Sequence, residues 1–356
     1  RAHWVDWLDG EEFYPLPMGT WSLEGQTFAA NAAERTRLKT RSGAGFKNLA
    51  LLRGRRPAWS LDGRVATYTA KGIHLYDGDT GEKAQTLAVD GSLSWWTHMA
   101  WSPVDKDRLA ISDSQSLWIA ETRHPNPSAS LREEGARIEV GQLIRALSWS
   151  PDGKSLLIGH MFGTHILELE TRRLHEGPSY PKIRIQDADW SPTGDRLALS
   201  LEDLSVRLFE RAPENGAWRE KHALRGHIDQ IHGSAWHPDG SRIATSSADG
   251  TVKLWDPVSG RLAASFHSPV GLHDVSWSPD GRTMTCMDFE GSIVVWTLEI
   301  DTDLASGSEA AAPGARRRPG ARRGAASAGN RRRPRRTRSG RTWSRGTAAT
   351  GRSRGA

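Results

Sequence analysis

Short runs of alternating apolar and polar residues recur along the first 300 residues, and turn residues separate them. The clearest example lies at residues 226–266, where Asp239-Gly240 and Asp249-Gly250 divide three such runs. The runs are Ile231 to Trp236, Arg242 to Ser246 and Thr251 to Trp255. A period of two is typical of strands, and Asp-Gly pairs favour the positive-φ conformations of tight hairpin turns. The segment therefore predicts a meander of antiparallel strands.

A tryptophan ends the first strand of each such unit, and a Ser-Pro-x-Gly turn often follows it. The seven tryptophans, which we call the anchors, are Trp21, Trp59, Trp101, Trp149, Trp190, Trp236 and Trp277. They lie 38, 42, 48, 41, 46 and 41 residues apart, which is the period of a four-stranded propeller blade. The spacing predicts seven blades. Because the match at Trp21 is weak, a six-bladed ring that starts near Phe46 is the alternative.

The unit at Trp277 ends after its third strand, near Leu298. The segment from His3 to Leu8 alternates well enough to supply the fourth strand. Pairing the two ends of the chain would leave no exposed sheet edge, which is how propellers avoid edge-to-edge aggregation. We therefore expect the N-terminal strand to close the last blade.

The unit at 226–266 opens with Gly226-His227 and closes its third strand with Trp255-Asp256. These pairs resemble a WD40 repeat, whereas Ser-Pro-Asp-Gly turns alone also occur in TolB-like propellers. The resemblance is specific in this unit, weaker in the others, and extends over about residues 3–299. It implies an all-β, seven-bladed propeller over residues 1–300 that binds other proteins or peptides on a rigid ring.

Four residues of this unit could be mistaken for a hydrolase site: His227, Ser247, Asp249 and Trp255. In WD40 repeats the matching positions form a buried hydrogen-bond network that fixes the blade. A nucleophile would need exposure and an oxyanion site, so we expect a structural role. The first strands supply mostly small and apolar residues to the channel, and no histidine pair has further ligands at metal spacing. We therefore predict no catalytic, cofactor-binding or metal-binding residues, with a channel enzyme as the alternative.

The resemblance places the loops before the first strands on one face of the ring, the top face, where family members bind partners. Residues three and four positions before the anchors are mostly polar. Together with the Trp95-Trp96 pair they form the predicted rim: Arg55, Arg56, Trp95, Trp96, His98, Arg145, Gln186, Asp187, His232, His273 and Asp274. Adjacent tryptophans on a strand point to opposite faces, so one of them is expected outside the core, and exposed tryptophan is enriched at binding hot spots.

The net charge of +6 hides two different parts of the chain. Residues 301–356 hold 15 Arg and three acidic residues, whereas residues 1–300 carry a net charge of −6. The tail is rich in Arg, Gly and Ala and cannot bury enough apolar surface to offset its ordering entropy, so we predict disorder. We interpret it as an inert extension or an out-of-frame translation. Nucleic-acid or acidic-partner binding through its arginines is the alternative.

The remaining features concern cellular context. The one cysteine, Cys286, excludes an internal disulfide and fits a reducing compartment, and no apolar run approaches the roughly 20 residues of a membrane span. We therefore expect a cytoplasmic protein that does not bind membranes. The chain begins with Arg1 and has the composition of GC-rich genes. By family analogy, we expect a bacterial protein in which the ring follows a signalling or effector domain.

Overall fold

The computed structural model describes residues 2–5, 19–32, 35–42, 45–89, 93, 97–123 and 137–298. Within these ranges the chain forms 28 strands, numbered β1 to β28 along the sequence, and no helix. The strands form seven four-stranded antiparallel sheets. The predicted all-β, seven-bladed propeller is therefore confirmed. The six-bladed alternative is wrong, because the weakly matching unit at Trp21 forms a complete sheet of its own.

The first four blades follow the chain without interruption. Blade 1 contains β2 (Gly19–Trp21), β3 (Thr27–Ala32), β4 (Arg35–Ser42) and β5 (Gly45–Arg53). Blade 2 contains β6 (Arg55–Trp59), β7 (Arg64–Thr69), β8 (Gly72–Asp77) and β9 (Lys83–Leu87). Blade 3 contains β10 (Met99–Trp101), β11 (Arg108–Ser112), β12 (Ser116–Glu121) and β13 (Arg137–Glu139). Blade 4 contains β14 (Ile144–Trp149), β15 (Ser155–His160), β16 (Gly163–Glu168) and β17 (Arg173–Ser179).

Blades 5 and 6 also follow the chain, whereas blade 7 takes its fourth strand from the N-terminal part of the sequence. Blade 5 contains β18 (Ile185–Trp190), β19 (Arg196–Leu201), β20 (Ser205–Arg211) and β21 (Trp218–Arg225). Blade 6 contains β22 (Ile231–Trp236), β23 (Ile243–Ser247), β24 (Thr251–Asp256) and β25 (Arg261–His267). Blade 7 contains β26 (Leu272–Trp277), β27 (Thr283–Asp288), β28 (Ile293–Thr297) and β1 (Ala2–Val5). In its outer pair, Ala2 lies opposite Trp296 and Val5 lies opposite Ile293.

The first strands of the blades surround the central channel. Each of them contacts the first strands of both neighbouring blades, and β26 contacts β2, so the ring is complete. The second strands are buried along their length, as in β23 and β27, whereas every residue of the outer strand β25 is exposed or half-buried. This gradient follows from the position of each strand, because only inner strands are covered on both faces.

The hydrophobic core lies between adjacent blades. One cluster, for example, joins Leu75 of blade 2 to Leu109 and Trp118 of blade 3. Each anchor tryptophan belongs to such an interface, and burying its side chain contributes about 4–6 kcal/mol of hydrophobic free energy. A blade cannot bury its own faces, so the ring is stable only as a stack of neighbours.

The anchor indoles also bond the blades to one another. Trp59 Nε1–H donates to the Thr20 carbonyl at 3.1 Å, so the anchor of blade 2 bonds to the residue that precedes the anchor of blade 1. The same bond recurs from Trp101 to Ala58, from Trp149 to Ala100 and from Trp277 to Ala235, at 3.1, 2.8 and 3.2 Å. Trp21 donates instead to Thr285 Oγ1 of blade 7, at 3.0 Å. Five of the seven seams between blades thus contain an indole bond.

The two seams beside blade 5 are built differently. The Nε1 atoms of Trp190 and Trp236 are buried and have no hydrogen-bond partner among the described residues. Carboxylates of blade 5 join its neighbours instead: Ser148 Oγ of blade 4 donates to Asp189 Oδ1 at 2.5 Å. On the other side, the amide and hydroxyl of Ser234 in blade 6 donate to Asp187 Oδ2 at 3.0 and 3.1 Å.

The predicted tail at 301–356 lies outside the described residues, so its disorder and the proposed domain boundary stay predictions. Cys286, in β27, is buried, and burial raises the pKa of its thiol well above the ordinary value. Over the described ranges there is no helix that is long and apolar enough to cross a membrane.

Candidate functional site

The polar network of blade 6 is a chain of hydrogen bonds that leads from Trp255 through Thr245 and His227 to Asp249. Trp255 Nε1–H donates to Thr245 Oγ1 at 2.9 Å, and Thr245 Oγ1 lies 2.8 Å from His227 Nε2. On the opposite side of the imidazole, His227 Nδ1 lies 2.9 Å from Asp249 Oδ2. Burial lowers the pKa of His227. Burial raises the pKa of Asp249, but the bonds from Thr251, Ile228 and His227 together outweigh it and lower that pKa to about 2. A neutral imidazole that donates to a carboxylate and accepts from a hydroxyl fits this arrangement.

Thr245, which the sequence analysis missed, supplies the hydroxyl between the histidine and the tryptophan. Ser247 lies at the end of the same strand, where its Oγ donates to the Asp229 carbonyl at 2.9 Å and accepts from the Asp249 amide at 3.1 Å. Ser247 therefore ties two loops of the blade and meets the network at the backbone of Asp249, whereas the link between the histidine and the tryptophan is Thr245. Because Thr245 is fully buried, it has no access to a substrate, and the network holds the blade together.

A second group of polar residues is positioned by irregularities in the first strands. The pairing of first and second strands shifts register in blades 4, 5, 6 and 7 at the same place, just inside the start of the first strand. The extra residues at these shifts are Arg145, Gln186, His232 and His273. A β-bulge of this kind bends the strand and re-aims the side chain of the extra residue. Blade 2 has a corresponding shift between Arg55 and Ala58.

These residues meet around one cavity of about 210 Å³, at the end of the central channel where the first strands begin. We call it the channel-mouth cavity. It is lined by Arg56, Pro57, His98, Met99, Arg145, Ala146, Leu147, Gln186, Asp187, His232, His273 and Asp274. Eight residues of the predicted rim thus share one space. Arg55 is not among the lining residues, and Trp95 and Trp96 lie outside the described residues.

Arg56 is the most constrained residue of the cavity. Only 7% of its surface is exposed, and its φ of 50° lies in the left-handed region, although the residue is not glycine and precedes Pro57. Its amide donates to Asn31 Oδ1 at 2.6 Å, which holds the backbone in this conformation. Its guanidinium donates to His98 Nδ1 at 2.9 Å, and burial lowers the pKa of Arg56.

The second guanidinium, that of Arg145, donates to Gln186 Oε1 of the next blade at 2.5 Å. Burial, followed by the charge of Arg184, lowers the pKa of Arg145. Burial also lowers the pKa of His98 well below its ordinary value, with the charges of Arg56 and Arg145 acting in the same direction. The imidazole of His98 is therefore neutral and offers its ring nitrogen to Arg56 as an acceptor.

The two acidic residues are joined to neighbouring blades and do not form a solvated rim. Asp187 accepts from Ser234, and Asp274 Oδ2 accepts from the Gly19 amide of blade 1 at 3.4 Å. Gly233 allows Asp274 to approach, since a Cβ at that position would lie 2.9 Å from Asp274 Oδ1. Burial raises the pKa of Asp187, and burial together with the Asp187 charge raises the pKa of Asp274 to about 7. The expectation that the first strands supply mostly small and apolar residues to the channel therefore fails here.

His232 and His273 form the remaining wall. Their rings stack with 4.7 Å between centroids, and Phe289 packs edge-on against both. Burial lowers the pKa of His232, and burial together with the charge of His232 lowers that of His273 to about 3, so both rings are neutral. The Nδ1 atom of His273 is buried without a hydrogen-bond partner in the described part of the chain. A neutral ring with an unsatisfied nitrogen can bond to a group that enters the cavity.

The chemistry available in the cavity is recognition by charge and hydrogen bonds. Two guanidinium groups, three neutral imidazoles and one amide face acidic groups that are already bonded to backbone amides. The lining contains no hydroxyl, thiol or amine side chain. In the ranges that the structure describes, no group of three His, Cys, Asp or Glu residues could hold a metal ion.

Comparison with known proteins agrees with the fold and the repeat. The model of the "WD domain, G-beta repeat" family matches residues 218–256, from β21 to β24, which is the unit that resembles a WD40 repeat in sequence. The structure is similar to the β-propeller domain of Cps50 (Swd1) from Myceliophteria thermophila, with a TM-score of 0.65 and 14% sequence identity. That similarity covers 84% of this chain and 100% of the other. A search of curated proteins finds no match.

Proposed function

We propose that the ring is a non-catalytic docking platform whose top face binds a protein or peptide, with the channel-mouth cavity at the centre of the contact. WD40 propellers typically serve as protein-interaction scaffolds. The observation that carries the proposal is the convergence of polar side chains from six blades on one cavity, five of them placed at register shifts in the first strands. Bulges next to a shared cavity are typical of sites where a strand re-aims side chains for function.

The proposal includes no catalysis. In the described residues, the polar network of blade 6 is buried and the cavity lining has no nucleophile beside a base. A rigid ring whose loops vary between blades is suited to multivalent docking, because its binding residues are held in place before the partner arrives.

The test uses a displayed library of random nine-residue peptides selected on the purified protein. We expect peptides that bind the wild type to lose binding to Arg145→Glu, which reverses a charge in the cavity. The matched control is Lys154→Glu, which makes the same reversal in an exposed turn between the first and second strands of the same blade. If selected peptides bind Arg145→Glu as well as they bind the wild type, the cavity is not the docking site.

The wider context is proposed on family analogy. We propose a cytoplasmic bacterial protein in which the ring controls an attached signalling or effector domain. The genomic reading frame on both sides of this sequence tests the idea, and it also shows whether the Arg-rich segment at 311–356 is translated in this frame. Should both flanking frames encode no further domain, the idea of an attached effector fails.

A further inference from the structure

We infer that the channel-mouth cavity binds a carboxylate of the docked partner, from an aspartate or glutamate side chain, with Arg56 and Arg145 as its cationic groups. The inference rests on the proposed docking function and adds the chemical class of the group that enters the cavity. Three observations support it: the burial and strained backbone of Arg56, the unsatisfied nitrogen of His273, and the balance of charge around the cavity.

The positive charge of Arg56 is buried without a carboxylate bonded to it among the described residues. In the described structure its guanidinium forms no ion pair, and its side-chain partner is the imidazole of His98. Asp274 lies close enough to influence Arg56, but its oxygens accept from the amides of Gly19 and Val275. A buried charge is costly unless it is paired, so an anion that reaches Arg56 gains the interaction that the folded chain lacks.

The backbone of Arg56 supports the same conclusion. A non-glycine residue at a φ of 50° is strained, and Gly54, two residues earlier, also has a positive φ, of 112°. The fold holds this conformation with the bond from the Arg56 amide to Asn31. Strain that the surrounding structure enforces is concentrated at ligand-binding positions, and here it places a guanidinium in the lining of a cavity.

The other lining groups complete a site for an acceptor. The buried Nδ1 of His273 has no partner in the described residues, and in the tautomer that carries its proton on Nδ1 it would donate to a ligand oxygen. Arg145 is held by Gln186 at 2.5 Å, so its planar group is oriented before a ligand binds. A carboxylate accepts several such bonds at once and pairs well with guanidinium groups.

The charge balance favours a single negative charge over a phosphate. Asp187 and Asp274 line the same cavity as the two arginines, and a doubly charged phosphate would face both of them. A carboxylate carries half that charge and is small enough for one side chain to occupy a cavity of about 210 Å³. The site therefore fits an acidic residue of a peptide.

The experiment uses three pools of nine-residue peptides with random flanks and a fixed central residue: glutamate, glutamine or phosphoserine. Binding to the wild type is measured by fluorescence polarisation. We expect the glutamate pool to bind about 10-fold more tightly than the glutamine pool, which corresponds to one charge-assisted bond. Arg56→Gly should abolish the preference, while Arg56→Lys should keep part of it. Glycine adopts a φ of 50° without strain, so the first variant is expected to fold.

Each result has one meaning. If the glutamate and glutamine pools bind equally, the carboxylate inference is wrong and the docking proposal stands. A preference for the phosphoserine pool makes this a phosphate site and also overturns the inference. If none of the pools binds the wild type, both proposals fail. Should Arg56→Gly melt well below the wild type, Arg145→Gln replaces it, since that variant leaves the Arg56 backbone intact, and retention of the glutamate preference would refute the inference.

Discussion

Replacing Thr245 by valine tests whether the polar network of blade 6 runs as the structure shows. Valine has the shape of threonine without the hydroxyl, so packing is kept and only the bonds are lost. The change leaves two buried atoms without a partner, Trp255 Nε1 and His227 Nε2, which now lie 2.9 and 2.8 Å from Thr245 Oγ1. A buried polar group without a partner costs about 1–3 kcal/mol, so we expect a loss of about 3 kcal/mol in the free energy of unfolding.

The matched comparison is Ser247→Ala in the same strand. It removes one bond to the Asp229 carbonyl and one from the Asp249 amide, both at the edge of a loop. We expect this change to cost about 1 kcal/mol. For a domain of this size the melting temperature should fall by roughly 6 °C in Thr245→Val and by roughly 2 °C in Ser247→Ala. Urea unfolding followed by tryptophan fluorescence measures the two free energies, and thermal melting measures the two temperatures.

A double-mutant cycle separates the bonds from general damage. In a Trp255→Phe background the indole donor is already gone, so Thr245→Val leaves only the imidazole nitrogen without a partner. The loss in the free energy of unfolding should then be about half of that in the wild type. The reasoning is refuted if Ser247→Ala destabilises the ring more than Thr245→Val. It is also refuted if the cost of Thr245→Val is the same with and without the indole.

Three further predictions concern the seams and the cavity. Trp101→Phe should lower the free energy of unfolding by about 1 kcal/mol more than Trp190→Phe, because only the first loses an indole bond, and equal losses in urea would contradict this. Burial raises the pKa of Asp189 to about 7, so the folded state keeps a proton that the unfolded state releases from about pH 4 upward, and wild-type stability should fall between pH 4 and 7. Melting scans of Asp189→Asn should show a smaller fall, and parallel curves would refute the assignment. Arg56→Gly should raise the melting temperature by roughly 2 °C, since strain and a buried charge are removed, and a decrease would show that the guanidinium stabilises the ring.

The sequence was sufficient for the architecture because one bulky residue marks each blade. A tryptophan at every blade interface is visible as a spacing of about 40 residues even where the rest of the unit has diverged, as at Trp21. The same spacing could not show that four of the indoles bond to a backbone carbonyl of the preceding blade. That bond joins residues about 40 positions apart and depends on how two sheets are placed against each other.

The site was less predictable, because it depends on backbone irregularities that leave no compositional mark. The polar positions before the anchors drew attention to Arg145 and His273, but not to the bulges that bring them to one cavity. The left-handed conformation of Arg56 also has no sequence signal, since such positions are usually glycine. Thr245 was overlooked for a related reason: two hydroxyls lie two residues apart in β23, on the same face, and only the three-dimensional contact distinguishes them.

The unequal seams of the ring have a consequence for how it opens. A closed ring has no free edge from which to fray, so local unfolding begins at the weakest junction. Both seams of blade 5 lack an indole bond and depend on Asp189 and Asp187 instead, and these two residues become a pair of like charges on one strand as the solution turns alkaline. Above neutral pH, amide hydrogen exchange should therefore be faster in β18 than in the other six inner strands. Blade 5 is then the place where the ring opens locally.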